Sequence, residues 1–71
     1  MTSGPVKHSL TLRGHRTSVS LEPEFWVAFR AIADARGLSV NELASEIDAG
    51  RAPDIGLASA IRVFVLRCHT V

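Results

Sequence analysis

The chain has 71 residues, 46% of them hydrophobic and 21% charged, with a formal net charge of +1. That length allows one small domain, and a chain this short buries only about 60% of the surface its unfolded form exposes. Cys68 is the single cysteine, which excludes an internal disulfide and a multi-cysteine zinc site. A partner chain is therefore the expected source of further burial.

In chain order, residues 1–8 contain Gly4-Pro5 and read as a flexible arm, with the domain over 9–71. Leu10 and Leu12 alternate with Ser9, Thr11 and Arg13, and Val19 and Leu21 alternate with Ser18 and Ser20. Strict alternation predicts half-buried strands over 10–13 and 17–21. Gly14-His15 between them suits a two-residue hairpin turn with glycine first, or equally a bulge in one long strand.

Glu22-Pro23-Glu24 opens a helix, since proline is tolerated in the first turn and acids there suit the helix dipole. Phe25, Trp26, Phe29, Ile32 and Ala33 make one continuous apolar face along it. Gly37 stops the helix as a left-handed C-cap. A second helix starts at once, because Ser39-Val40-Asn41-Glu42 is a capping box; Leu43 and Ile47 carry its inner face. Residues 50–56 form a loop by composition. A last helix runs over about residues 57–67, with Leu57, Ala60, Ile61, Phe64, Val65 and Cys68 on one broad face and Val63 and Leu66 outside it. A helix apolar nearly all round calls for burial against a second subunit.

Counting the 17–21 strand alone, its edges have no partner within the chain, and unpaired strand edges demand one. Two copies that pair these strands antiparallel, each roofed by helices, satisfy both the backbone and the apolar surface. The architecture expected is mostly α with a short β-ribbon: β-α-α plus an extra C-terminal helix, in an intertwined homodimer.

The near-neutral total hides an uneven distribution. Residues 1–21 carry Lys7, Arg13 and Arg16 and no acid, for +3. Residues 22–54 carry seven acids against Arg30, Arg36 and Arg51, for −4, and residues 55–71 add Arg62 and Arg67, for +2. The basic N-terminal segment is where an anionic partner would dock.

Cys68 beside His69 has no neighbouring carboxylate or oxyanion-hole motif, so no catalytic residue is assigned. Phosphate-loop and dinucleotide glycine patterns are missing, and no metal or cofactor is expected. No apolar run approaches the roughly 20 residues that a spanning helix needs, and residues 1–10 lack a signal-peptide core. With one unpaired thiol, the chain reads as soluble and cytoplasmic, with no membrane partner.

The run Thr17-Ser18-Val19-Ser20-Leu21-Glu22-Pro23-Glu24-Phe25-Trp26, followed by Arg36-Gly37-Leu38-Ser39-Val40-Asn41-Glu42-Leu43, resembles the ribbon-helix-helix family of dimeric bacterial and phage DNA-binding domains. It is most similar to the small stand-alone alphaproteobacterial subgroup. Leu12-Arg13-Gly14-His15-Arg16-Thr17-Ser18 and Ser59-Ala60-Ile61-Arg62-Val63-Phe64-Val65-Leu66 extend the match over the chain after Lys7.

The resemblance implies a transcriptional regulator, a repressor of a short operator on double-stranded DNA, whose two-subunit ribbon enters the major groove. With Val19 and Leu21 inward, Arg16, Ser18 and Ser20 face the bases, and Arg13 and His15 lie beside phosphate. Ser39, Val40 and Asn41 at the start of the second helix would anchor phosphate. Val19, Leu21, Trp26, Phe29, Leu43, Ile61, Phe64 and Val65 would form the dimer interface. One departure is plain: the family's second helix is long, whereas here residues 50–56 break it. That break and the light basicity favour an alternative, a dimeric ligand-sensing or protein-interaction module on the same frame that does not bind DNA, with a small-molecule effector.

Overall fold

In the computed structural model, which describes residues 4–69, two antiparallel strands form one hairpin and three helices pack against it. The order is β1 (Val6–Leu12), β2 (His15–Leu21), α1 (Pro23–Ala35), α2 (Val40–Gly50) and α3 (Leu57–His69). The β-ribbon, the two helices and the additional C-terminal helix follow the expected architecture.

The ribbon differs in one respect. β2 finds its partner in its own chain, because β1 begins at Val6 and pairs with it from Val6 opposite Leu21 to Leu12 opposite His15. A second copy is thus not needed to make the ribbon two-stranded, which corrects the reading of β2 as unpartnered within its chain; pairing of β2 between subunits falls to its other edge. The turn also lies one residue earlier than Gly14-His15. Arg13 and Gly14 are its central residues, with φ of 53° and 83°, the left-handed pair that a type I′ hairpin turn requires. A turn centred on Gly14-His15 would set Val6 opposite Pro23, which has no N–H to donate and already starts α1.

Alternation along both strands puts Leu10, Leu12, Val19 and Leu21 on the face that meets the helices, and all four are buried. At the start of β1 the inward position falls to His8. Its ring stacks on Trp26 of α1, with centroids 3.8 Å apart and planes 6° from parallel, so an aromatic pair continues the core where aliphatic residues stop.

α1 ends where Gly37 takes φ of 69°, a left-handed conformation that costs a β-carbon residue about 1–2 kcal/mol. α2 begins at a complete capping box: Ser39 Oγ accepts the Glu42 N–H at 3.0 Å, and Glu42 Oε1 accepts the Ser39 N–H at 2.8 Å. The reciprocal bonds satisfy two of the donors that a helix start leaves open. α3 is fastened to the end of the hairpin by Arg62. Its guanidinium donates to Glu22 Oε1 at 2.9 Å and to the Ser20 carbonyl at 3.2 Å, and lies 5.9 Å over the Phe25 ring.

The core joins the inner hairpin face to Phe29, Ala33, Leu43, Ala44, Ile61 and Val65. Six of the eight residues expected at a subunit interface are therefore buried within one chain: Val19, Leu21, Phe29, Leu43, Ile61 and Val65. Trp26 and Phe64 are half-buried against the same core. Apolar area already out of water has little more to gain from a second chain. The large apolar side chains still exposed are Val6, Val27, Ile55, Val63 and Leu66.

Candidate nucleic-acid interface

The hairpin's second face is polar because the same alternation that sends leucine and valine inward sends hydroxyls and cations outward. Lys7, Ser9 and Thr11 from β1 stand opposite Ser20, Ser18 and Arg16 from β2, and all six are exposed. Lys7 and Arg16 occupy diagonal corners, with four hydroxyls completing the surface. Arg13 stands at the turn. No acid occurs before Glu22.

Pairing elsewhere makes this face electrostatically distinct. Among the described residues Lys7, Arg13 and Arg16 have no hydrogen bond or ion pair, whereas Arg51 is bound to Asp48 at 2.8 Å and Arg62 to Glu22 at 2.9 Å. The Arg62 hydrogen bond holds the Glu22 carboxyl below its usual 4.5, with the Glu22 backbone N–H as the next contributor. An ion pair projects little field, while unpaired cations on one face do. The ribbon is thus a positive surface on a nearly neutral chain.

Alternation of ladder bonds leaves the N–H groups of Lys7, Ser9 and Thr11 pointing off the β1 edge. Thr11 N–H donates to Asn41 Oδ1 at 3.0 Å, which fixes the first turn of α2 beside that edge. Ser39, Val40 and Asn41 therefore flank the ribbon. The Ser39 hydroxyl is already engaged in the capping box, and its backbone N–H and Oγ hold the Glu42 carboxyl below the usual 4.5. Glu42 thus offsets part of the positive end that α2 presents there.

Of the residues read from sequence as DNA contacts, Arg16, Ser18 and Ser20 share the outer face. His15 and Arg13 do not join them. His15 stands opposite Leu12 on the inner side, and with Arg13 at the turn it lines a cleft bounded by Thr17, Ser45, Asp48 and Arg51. Ser9 and Thr11 have no assignment from sequence, and Lys7 only a place in the basic segment, although the parity of Leu10 and Leu12 already sets all three outward. Their half of the face became visible only with β1 extended to Val6.

Among the described residues no group of three or more His, Cys, Asp or Glu side chains could hold a metal ion. Among the described residues no helix is long and apolar enough to cross a membrane. A sequence model described as the ribbon-helix-helix domain matches residues 5–69, which covers the hairpin and all three helices. No curated protein and no solved structure matches the chain.

Proposed function

The chain belongs to the ribbon-helix-helix domain family, whose members generally bind DNA as dimers in transcription regulation, and from that membership we propose that it is a homodimeric DNA-binding repressor. The observation that carries the reading is the acid-free outer face of the hairpin, with Lys7, Arg13 and Arg16 unpaired among the described residues.

A two-stranded ribbon fits the major groove. In this reading Ser18 and Ser20 reach base edges, and Arg16 beside them meets either a phosphate or, two-pronged, a guanine, two contacts that the salt slope separates. Lys7 and Arg13 meet phosphate, and Ser39, Val40 and Asn41 lie along the flanking backbone with their amides toward it. His15, on the other side of the ribbon, takes no base contact in this arrangement.

The second copy adds its strand to β2. Arg16 and Ser18 turn their backbone groups off that edge, while the Ser20 carbonyl is already taken by Arg62. Pairing there would join the two hairpins into one four-stranded sheet, with β2 and its counterpart as the central pair that enters the groove and β1 flanking them, and would double the charge of the outer face. A gel-shift series on DNA upstream of the protein's own gene tests the function. Retardation that weakens steeply with salt supports it. No retardation of any fragment at low salt overturns it in favour of a dimeric module that does not bind DNA.

A further inference from the structure

The loop that follows Gly50 builds a wall as well as ending α2. Arg51 donates to Asp48 Oδ1 at 2.8 Å and to the Ile55 carbonyl at 2.6 Å, and Ile55 N–H donates to the Ala52 carbonyl at 3.0 Å. The loop is thereby closed on itself. It bounds a groove of about 510 Å³ between α2 and α3, floored by Leu43, Ile47, Ile55, Val63 and Phe64. Ile55 and Val63 are 41% and 45% exposed, so apolar surface faces water there. Small-molecule sites commonly occupy roughly 300–1,000 Å³ and are mostly apolar with a few polar groups.

A second hollow, of about 600 Å³ and lined by Ile32, Ala35 and Cys68, meets the groove at Arg36, Phe64 and Arg67, which line both. The junction is cationic. The Arg36 guanidinium lies 5.0 Å over the Phe64 ring, and its one hydrogen-bond acceptor among the described residues is Cys68 Sγ at 4.0 Å. Sulfur is a weak acceptor, which leaves a planar fork of donors available at the groove's inner end. Among the described residues Glu46 is the single acid in the lining.

We propose that this groove binds a small amphipathic carboxylate, an acyl or aromatic acid. Its apolar part covers Leu43, Ile47 and Val63, and its carboxylate takes the Arg36 fork at the junction. Burial of the exposed floor supplies the non-specific part of the affinity. The charge-assisted bonds to arginine, stronger than those to sulfur, select an acid over its neutral analogue. A second copy docked face to face across the junction would set Arg36 against its own counterpart, and like charges oppose that arrangement.

The experiment is a ¹⁵N-resolved NMR titration of the free protein with octanoate, with octan-1-ol as the uncharged comparator; no DNA is present, so its outcome is independent of the repressor reading. Octanoate should shift the amides around Arg36, Ile47, Ile55 and Val63, and bind about tenfold or more tightly than octan-1-ol. Arg36→Gln should bring the two to within about twofold of each other, and Val63→Asp should abolish both while the remaining spectrum stays folded. Equal binding of acid and alcohol overturns the proposal, as do octanoate shifts confined to Lys7 and Arg16. A Val63→Asp variant that sediments as a monomer where the parent is a dimer also overturns it, by assigning the groove to the second copy.

Discussion

Replacing Arg16 by alanine tests the ribbon through the salt dependence of DNA binding. Each phosphate neutralised by a protein cation contributes a slope of about −0.9 to the plot of log affinity against log salt. The hairpin offers Lys7, Arg13 and Arg16 without competing acids, so a dimer makes up to about six such contacts and a slope near −5.4. Between 50 and 200 mM salt that slope corresponds to a loss of roughly a thousandfold or more in affinity. With Arg16 absent from both chains the slope falls to about −3.6 and the loss to roughly 150-fold. If Arg16 instead spends its charge on guanine, the slope stays and binding weakens by about 1–3 kcal/mol at one base position. Fluorescence anisotropy on a labelled duplex measures both. Arg36 is the control: it is exposed and lies over the Phe64 ring, away from the hairpin. An Arg36→Ala variant that lowers the slope as much as Arg16→Ala would refute the reasoning, because general charge rather than the ribbon would then govern binding.

Four further outcomes are expected. Ser39→Ala removes the acceptor for the Glu42 N–H and should cost about 1 kcal/mol, or a melting-temperature drop of about 4–8 °C by circular dichroism in a domain this small. Glu22 and Glu42 both have folded-state values below 4.5, so their stabilisation is complete above that value and lost as pH falls through the lowered one; urea melts of Glu22→Gln and Glu42→Gln should converge on the parent in acid, and a pH-independent gap would contradict this. Arg13→Asn relieves a left-handed arginine at φ 53° and should raise the melting temperature, with an accompanying loss of salt slope if Arg13 meets phosphate. Ser18→Pro removes an N–H on the outer edge of β2 without breaking the hairpin ladder, so analytical ultracentrifugation should show a weakened dimer beside a folded monomer.

The helices were legible because their boundaries rest on local chemistry. Pro23 in a first turn, Gly37 at a positive φ, and Ser39 facing Glu42 each act within four residues, so neighbours in sequence suffice to read them. The beginning of β1 was not legible for the converse reason. Its inward positions are Val6 and His8, and histidine in such a position reads as polar until the stacked Trp26 is seen. Val6 to His8 therefore read as an arm, β2 reads as unpaired, and a second chain is needed to complete the ribbon. The turn was displaced for a related reason. The glycine was recognised, but choosing between the two registers depends on what lies opposite Val6 some fifteen residues away.

The site was legible in its charge but not in its contrast. Dividing the chain placed three cations before Glu22 and no acid among them, yet three charges on an N-terminal segment describe a solvated tail as well as a binding face. What separates the two is the fate of the other cations. Arg62 reaches back 40 residues to Glu22, Arg51 turns three residues back to Asp48, and Arg36 lies on Phe64. None of these pairings follows from periodicity. They engage positive charge elsewhere on the molecule, Arg30 on α1 excepted, while the pleat of the hairpin holds Lys7 and Arg16 together on one exposed face. A net charge of +1 thus coexists with a concentrated positive surface, because the acids that cancel the total are engaged by arginines away from the ribbon or lie outside the hairpin sequence.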